Sequence, residues 1–121
     1  MKESDIQTAC LAFLRAKRIF CFRVNNTGVF DPTRKIFRRS PNTTKGLPDI
    51  IGILKIKHSE GTQSVPLPVV GQFIAIECKS KTGRLSEDQK RCHEDIVAAG
   101  GIVLVVRSVD ELIEDLKELA L

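Results

Sequence analysis

Two acidic residues and a lysine, far apart in the chain, have the types and spacing to hold a metal ion beside a phosphate. Asp49 precedes the apolar run 50–56, Glu77 ends the apolar run 73–77, and Lys79 follows two residues later. The midpoint between Asp49 and Glu77, residue 63, falls in the polar connection 58–70, so an antiparallel hairpin would bring both acids to its open end. Directly opposed strand side chains lie about 5 Å apart at Cβ, where a divalent cation relieves the repulsion between two carboxylates.

Lys79 is expected to share a face with Glu77, because side chains alternate along a strand and Cys78 then points the other way. A metal held by the two acids can supply a hydroxide-like nucleophile, and an ammonium beside it can steady phosphate charge. This set of groups is suited to hydrolysing a phosphodiester. Each motif alone also fits a plainer structure: an aspartate in a turn after Pro48, and a solvated strand face at 77–79.

Charge is distributed unevenly along the chain. The net charge of +4, from 19 basic and 15 acidic residues, is too small to indicate a nucleic-acid partner by itself. The segment 33–46 carries five basic residues and no acid, and we expect it to contact phosphates: Arg34, Lys35, Arg38, Arg39 and Lys45. A solubilising surface loop is the alternative, and its Phe30 and Phe37 could stack on bases or pack onto the domain.

The length and composition predict one soluble domain, 1–121, with an ordinary apolar fraction of 42 %. Four cysteines show no zinc spacing, and we expect reduced, mostly buried thiols in a cytoplasmic protein. The polar N-terminus reads as the start of a helix rather than a signal peptide, and no apolar run is long enough to span a membrane.

Three serines predict helix starts, because each is followed three residues later by a glutamine or glutamate that completes a capping box. The pairs are Ser4 with Gln7, Ser86 with Gln89, and Ser108 with Glu111. The first pair places Glu3 just outside its helix.

Four strands are predicted between these helices, at 20–25, 50–56, 73–77 and 102–106. The order α-β-β-β-α-β-α indicates an α/β fold with a central mixed sheet flanked by helices. Strands two and three should form an antiparallel hairpin, and strands three and four a parallel pair joined through a helix. The run 102–106 is apolar on both faces and is predicted to be the most buried strand.

The segment KGLPD at 45–49, followed by Glu77, Cys78 and Lys79, resembles the PD-(D/E)xK nuclease superfamily. The fuller pattern is similar to the virus-type replication-repair nuclease (VRR-NUC) family within it. That pattern has a Glu and a Gln on the first helix, an Asn-Gly segment after the first strand and a Gln on the helix after the E-x-K element. In this chain the corresponding residues are Glu3, Gln7, Asn25, Asn26 and Gln89, in that order across nearly the whole sequence.

The resemblance implies a PD-(D/E)xK-type core and Mg²⁺ or Mn²⁺ bound by Asp49 and Glu77. It further implies the Cys78 carbonyl as another ligand, Glu3 as an outer ligand, and Gln89 in the catalytic site. Gln7, Asn25 and Asn26 would lie on the nucleic-acid side. Stand-alone, phage-like members are expected to act in the bacterial host cytoplasm, to dimerise and to cut branched DNA such as four-way junctions.

Several alternatives remain open from the sequence. Gln7 and Gln89 could each serve only as capping residues. The chain could be a nonspecific or restriction-type endonuclease with the same site, a nucleic-acid-binding module without catalysis, or an interaction subunit that uses its acidic last helix. His58 and His93 have no partner at metal or catalytic spacing, and no role is predicted for them.

Overall fold

The computed structural model describes residues 1–24, 29–38, 44–57 and 69–119, with the backbone alone for 29–31, 36–38 and 57. Its elements in chain order are α1 (Glu3–Ala16), β1 (Phe20–Arg23), β2 (Val29–Asp31), β3 (Ile36–Arg38), β4 (Ile50–Lys57), β5 (Val69–Cys78), α2 (Glu87–Ala98), β6 (Ile102–Val106) and α3 (Val109–Glu118). The predicted α/β fold and element order are confirmed for the main sheet and its helices. The small β2–β3 hairpin is an addition: β2 precedes the segment 33–46, which the sequence suggested was a basic loop, and β3 lies within it.

The main sheet has four strands in the order β1-β4-β5-β6. β4 pairs antiparallel with both β1 and β5, whereas β5 and β6 run parallel with α2 between them in the chain. The predicted hairpin and the predicted parallel pair are therefore both confirmed. The sheet is mixed, and its antiparallel half brings the residues before β4 opposite the end of β5.

The apolar core lies between one face of this sheet and the helices α1 and α3. The helices contribute Ile6, Cys10, Leu11, Leu14, Leu112 and Leu116, and the strands contribute Cys21, Ile50, Leu54, Ile74, Ile76, Cys78 and Val106. Alternate residues of β4 and β5 point into this layer, as strand geometry requires. All four cysteines are free and buried, which confirms the prediction that they serve as core thiols.

β6 is not the most buried strand, so that prediction was wrong. It lies at the edge of the sheet, where Val106 is fully buried but Val105 is 36 % exposed and residues 102–104 are half-buried. The most buried stretch is 74–78 of β5, which has a neighbouring strand on each side. An apolar run indicates that a strand is buried on average, but it does not indicate whether the strand lies at the centre or at the edge of the sheet.

The first helix begins two residues earlier than its serine indicated, because its N-cap is Lys2 rather than Ser4. α1 starts at Glu3 with Lys2 as the N-cap, and the Asp5 carboxylate accepts a hydrogen bond from the Lys2 N–H at 3.4 Å. A carboxylate competes well here because it also interacts favourably with the helix dipole. The predicted cap at Ser4 was therefore wrong, whereas the caps at Ser86 and Ser108 are confirmed.

The second face of the sheet carries exposed apolar side chains, which we call the apolar face: Phe20, Phe22, Ile53 and Phe73. Phe20 pairs with Ile53, and Ile53 pairs with Phe73, so these three residues form a row across three strands. Their exposed fractions run from 37 % at Phe73 to 66 % at Phe20. Phe73 and Glu77 lie four positions apart on β5, so the apolar face is also the face that carries Glu77.

Within the described ranges, none of the three helices combines the length and apolar character that crossing a bilayer would require.

Candidate active site

The β4–β5 register brings the two acidic residues together. Ile50 pairs with Ile76, so Asp49, immediately before β4, lies opposite Glu77. The Asp49 Oδ2 accepts a hydrogen bond from the Cys78 N–H at 2.8 Å, and the Glu77 carboxyl lies within hydrogen-bonding range of Asp49. Two carboxyls that are 28 residues apart in the sequence thus share one side of the sheet.

The segment before Asp49 is held against the start of α2. Gly46 has φ +76°, and a β-carbon added to it would lie 2.3 Å from the Asp88 carbonyl oxygen. Pro48 is buried, and the Asp49 carbonyl accepts a hydrogen bond from the Val24 N–H at 2.8 Å. The backbone therefore enters β4 between β1 and α2, and this close approach requires glycine at position 46.

Glu77 is buried in surroundings that disfavour its charge. It is 1 % exposed, and its pKa is raised to about 9, chiefly by burial and further by the hydrogen bond to Asp49 and the charges of Asp49 and Glu3. The charge of Lys79 opposes this rise. A cation bound between Glu77 and the half-buried Asp49 would compensate this effect, because its charge favours both anionic forms.

Lys79 lies just beyond β5 with a side chain that is only 8 % exposed. Its N–H donates to the Val106 carbonyl at 3.0 Å, and its ammonium is close enough to Glu77 and His93 to shift the pKa of each. Cys78 points the opposite way, into the core, where its thiol contacts Cys10. The alternation expected for residues 77–79 is therefore present.

Glu3 is the first residue of α1 rather than a residue outside the helix, which corrects the prediction made from Ser4. Its carboxylate raises the pKa of Glu77, and a β-carbon added to Gly83 would lie 3.2 Å from Glu3 Oε1. The Glu3 side chain therefore lies against the loop that follows Lys79, at the margin of the carboxyl pair.

Arg107 is a structural residue of the site that the sequence did not indicate. Its Nη1 donates to the carbonyls of Ser80 and of Gly83, the latter at 2.8 Å, so it holds the loop between β5 and α2. No sequence motif marks it, because its partners are backbone atoms in a different element. A loop fixed in this way keeps Lys79 and Glu3 in place beside Glu77.

The two predicted glutamines are engaged elsewhere. Gln89 Oε1 accepts from the Ser86 N–H at 2.9 Å, completing the predicted capping box of α2. Gln7 does not cap α1; its Oε1 accepts from Arg23 Nη2 at 2.7 Å. Both amide oxygens are thus occupied by local partners.

The predicted nucleic-acid contacts are only partly described. Arg34 and Lys35 are exposed in the turn between β2 and β3, and Lys45 is exposed before Gly46. Arg38 ends β3 with its backbone alone described. Asn25, Asn26 and Arg39 lie outside the described residues, as does His58.

His93 is a second site residue that sequence reasoning missed. It projects from α2 into the site, where its Nε2 lies 3.1 Å from Glu77 Oε1, and it is 8 % exposed. Burial and the charge of Lys79 lower the pKa of His93, which favours a neutral ring. The one available signal was its position one turn after Gln89, on the side of α2 that also carries the buried Cys92.

Two carboxyls, but not three, converge as candidate metal ligands. Across the described ranges no group of three histidine, cysteine, aspartate or glutamate side chains is arranged to hold a metal ion. Asp49 and Glu77 could hold a hard cation together with a backbone carbonyl such as that of Cys78, with water or phosphate completing its coordination. An oxygen-only donor set of this kind fits Mg²⁺ or Mn²⁺.

Comparison with known proteins agrees with this geometry. The family model described as the VRR-NUC domain matches residues 1–110 of the 121-residue chain. Searches of curated proteins and of solved structures gave no match. The matched range contains every element from α1 to β6 and all of the site residues described above. The chain therefore belongs to the VRR-NUC domain family and is a nuclease.

Proposed function

We propose that this protein is a divalent-metal-dependent endonuclease that hydrolyses phosphodiester bonds in DNA. Its active site would consist of Asp49, Glu77 and Lys79. One observation carries the proposal: the buried carboxyl of Glu77 meets the half-buried carboxyl of Asp49, and the buried side chain of Lys79 lies beside them. Family membership supports nuclease activity, and the donor set supports the choice of a hard cation.

Asp49 and Glu77 would hold Mg²⁺ or Mn²⁺, with the Cys78 carbonyl as a third protein ligand and Glu3 reaching it through water. When bound, such an ion neutralises phosphate charge and lowers the pKa of a coordinated water. Asp49 is already oriented by the Cys78 N–H, so one of its oxygens has a fixed position before any metal enters. That preorganisation favours a single geometry of the bound phosphate.

Lys79 would orient the attacking water and stabilise negative charge on the phosphate. Its burial matters, because an ammonium removed from water interacts more strongly with a nearby anion than an exposed one does. Gln89 caps α2 through its Oε1, so any catalytic contribution from it would come from its amide nitrogen.

DNA would be held by the basic segment. Arg34, Lys35 and Lys45 are exposed, and Arg38 and Arg39 belong to the same stretch of sequence. Gln7, Asn25 and Asn26 are proposed as further contacts, with Gln7 acting through its Arg23 partner. Phosphate contacts of this type give affinity without base specificity, which suits an enzyme that selects DNA by its shape.

We further propose that two copies associate and that branched DNA, such as a four-way junction, is the preferred substrate. The apolar face supports this, because Phe20, Ile53 and Phe73 form an exposed row on the same side of the sheet as Glu77. A two-fold contact through this face would bring both sites toward the dimer interface.

Cleavage of a panel of linear, flapped and four-way DNA, with Mg²⁺, Mn²⁺ or a chelator, tests the proposal. Wild type should cut only with metal and should cut junctions fastest. Glu77→Gln should still bind DNA but cut more than about 100-fold more slowly, since it removes a metal ligand. Glu94→Gln, an exposed change on α2, serves as the matched control and should cut normally.

Each other outcome identifies a different function. Equal rates on linear and branched DNA would indicate a nonspecific or restriction-type endonuclease. DNA binding that is unaffected by Asp49→Ala, with no cutting by wild type under any metal condition, would indicate a binding module without catalysis.

A further inference from the structure

His93 makes a buried polar contact between two layers of the fold. Its Nε2 lies 3.1 Å from Glu77 Oε1, and the exposed fractions are 8 % for His93 and 1 % for Glu77. His93 comes from α2, which covers part of the sheet face that carries Glu77. Buried polar groups are costly unless they are paired, so this contact is a specific part of the packing of α2 on the sheet.

The surroundings of Glu77 explain what the contact can do. Asp49 and Glu3 both act against its negative charge, and Lys79 acts in favour of it. A carboxylate with two acidic neighbours would turn away from them unless a donor held it in place. His93 is such a donor: a carboxylate only accepts hydrogen bonds, so the tautomer that pairs with ionised Glu77 carries its hydrogen on Nε2.

We propose that His93 is a positioning residue, which holds one oxygen of the Glu77 carboxylate and leaves the other oxygen free for the divalent cation. This inference rests on the proposed metal-dependent function. We do not propose His93 as a ligand, because it does not form a three-residue metal cluster with Asp49 and Glu77 within the described part of the chain. Ligating carboxylates are commonly oriented by a second group in this way, and losing that group weakens metal binding.

A purely structural role makes a different prediction. If His93 only filled space between α2 and β5, any side chain of similar volume would preserve the site. If His93 acts through its hydrogen bond, only a side chain with a donor near the Nε2 position would preserve the site. Glutamine carries an amide nitrogen that can reach this position, whereas leucine fills similar space without a donor.

Calorimetric titration of the DNA-free protein with Mn²⁺ separates these roles without relying on cleavage. His93→Leu should bind Mn²⁺ at least about 10-fold more weakly than wild type. His93→Gln should stay within about threefold of wild type, because it restores the donor. Cys92→Ala is the matched control: Cys92 is equally buried, at 8 %, on the same helix, and this variant should bind Mn²⁺ as wild type does.

If His93→Leu does not fold, His93→Asn replaces it, since its shorter amide cannot span the distance to Glu77, and the same loss is expected. Wild-type affinity in a folded Leu or Asn variant would overturn the inference, as would equal losses in the Gln and Leu variants. Either result in a protein that binds Mn²⁺ would leave the proposed function standing. A wild type that binds no Mn²⁺ would instead overturn the proposed function, and this inference with it.

Discussion

The Glu77 carboxyl has almost no contact with water, yet it lies beside a second carboxyl. Burial, the Asp49 carboxyl and Glu3 together raise its pKa to about 9, against the partial compensation of Lys79. Without a cation, the folded protein therefore keeps a proton on Glu77 at neutral pH. Metal binding has to displace that proton, so metal affinity should increase as the pH rises toward 9.

Glu77 should make the stability of the metal-free protein depend on pH. In the unfolded chain Glu77 has its ordinary pKa of 4.5, whereas in the fold its pKa is about 9. Between these values the folded state holds a proton that the unfolded state has released, so the contribution of Glu77 to stability falls as pH rises. Glu77→Gln mimics the neutral acid and removes this dependence.

Urea unfolding with a chelator at pH 5, 7 and 9 measures the effect. The free energy of unfolding of wild type minus that of Glu77→Gln should fall from pH 5 to pH 9. Glu94→Gln, exposed on α2, should give a difference that stays flat. A flat difference for Glu77→Gln as well would show that Glu77 is already ionised in the metal-free fold.

Whether the sequence could predict a site residue depends on which contacts position that residue. Asp49 and Glu77 lie symmetrically about one connection, so hairpin pairing alone brings them together. Lys79 follows from strand alternation. His93 and Arg107 could not be found this way, because their contacts depend on how α2 and β6 pack against β5. Hydrogen bonds to backbone carbonyls, such as those of Arg107, leave no pattern in residue types.

Among the elements, the segment before β4 depends most on a single small residue. Gly46 has φ +76°, and the backbone of Asp88 at the start of α2 occupies the space where a β-carbon would lie. Gly46 thus allows Asp49 and α2 to approach each other, and α2 carries His93. This packing links the position of one carboxyl to the helix that contacts the other.

Gly46→Ala should therefore destabilise the protein by more than about 3 kcal/mol, because it combines left-handed strain with a backbone clash. Gly100→Ala is the matched control: its φ is +98°, but nothing lies within 4 Å of the added β-carbon. It should cost about 1 kcal/mol, from strain alone. Thermal and urea unfolding of both variants measure the difference. Equal losses of stability in Gly46→Ala and Gly100→Ala would mean that the contact between Gly46 and α2 is not tight.

The types of the elements were predictable from the sequence. The ends of the helices and the positions of the strands in the sheet were less predictable. The caps at Ser86 and Ser108 follow from local spacing, but α1 begins at Glu3 because Asp5 pairs with the N-cap at Lys2. The run 102–106 has the composition of a central strand, yet it forms an edge. Sheet order depends on long-range pairing, which local composition does not encode.

At the scale of the whole molecule, the sheet has one well-covered face and one partly open face. α1 and α3 cover the core side, while Phe20, Phe22 and Ile53 on the other side are each more than 40 % exposed. Exposed apolar patches of this kind mark interaction surfaces in soluble proteins. A second copy is the partner we propose, since a small unit has little surface with which to hold a branched duplex.

Light scattering during gel filtration should give a mass close to twice the 13.5 kDa of the chain. Phe20→Glu places a charge in the apolar row and should shift the protein to monomer, with slower cutting of junctions. Leu119→Glu, an exposed apolar position just after α3, should remain a dimer. A wild-type monomer at assay concentration would remove the dimer proposal.

The most direct test of the proposed metal site is a crystal structure of the protein soaked with Mn²⁺, with the anomalous signal used to locate the ion. We expect a single strong peak within coordination distance of both an Asp49 oxygen and a Glu77 oxygen, and no such peak in Glu77→Gln. A folded wild type whose Mn²⁺ binds elsewhere, or whose Asp49 and Glu77 stay paired to each other at saturating Mn²⁺, would contradict the proposed site.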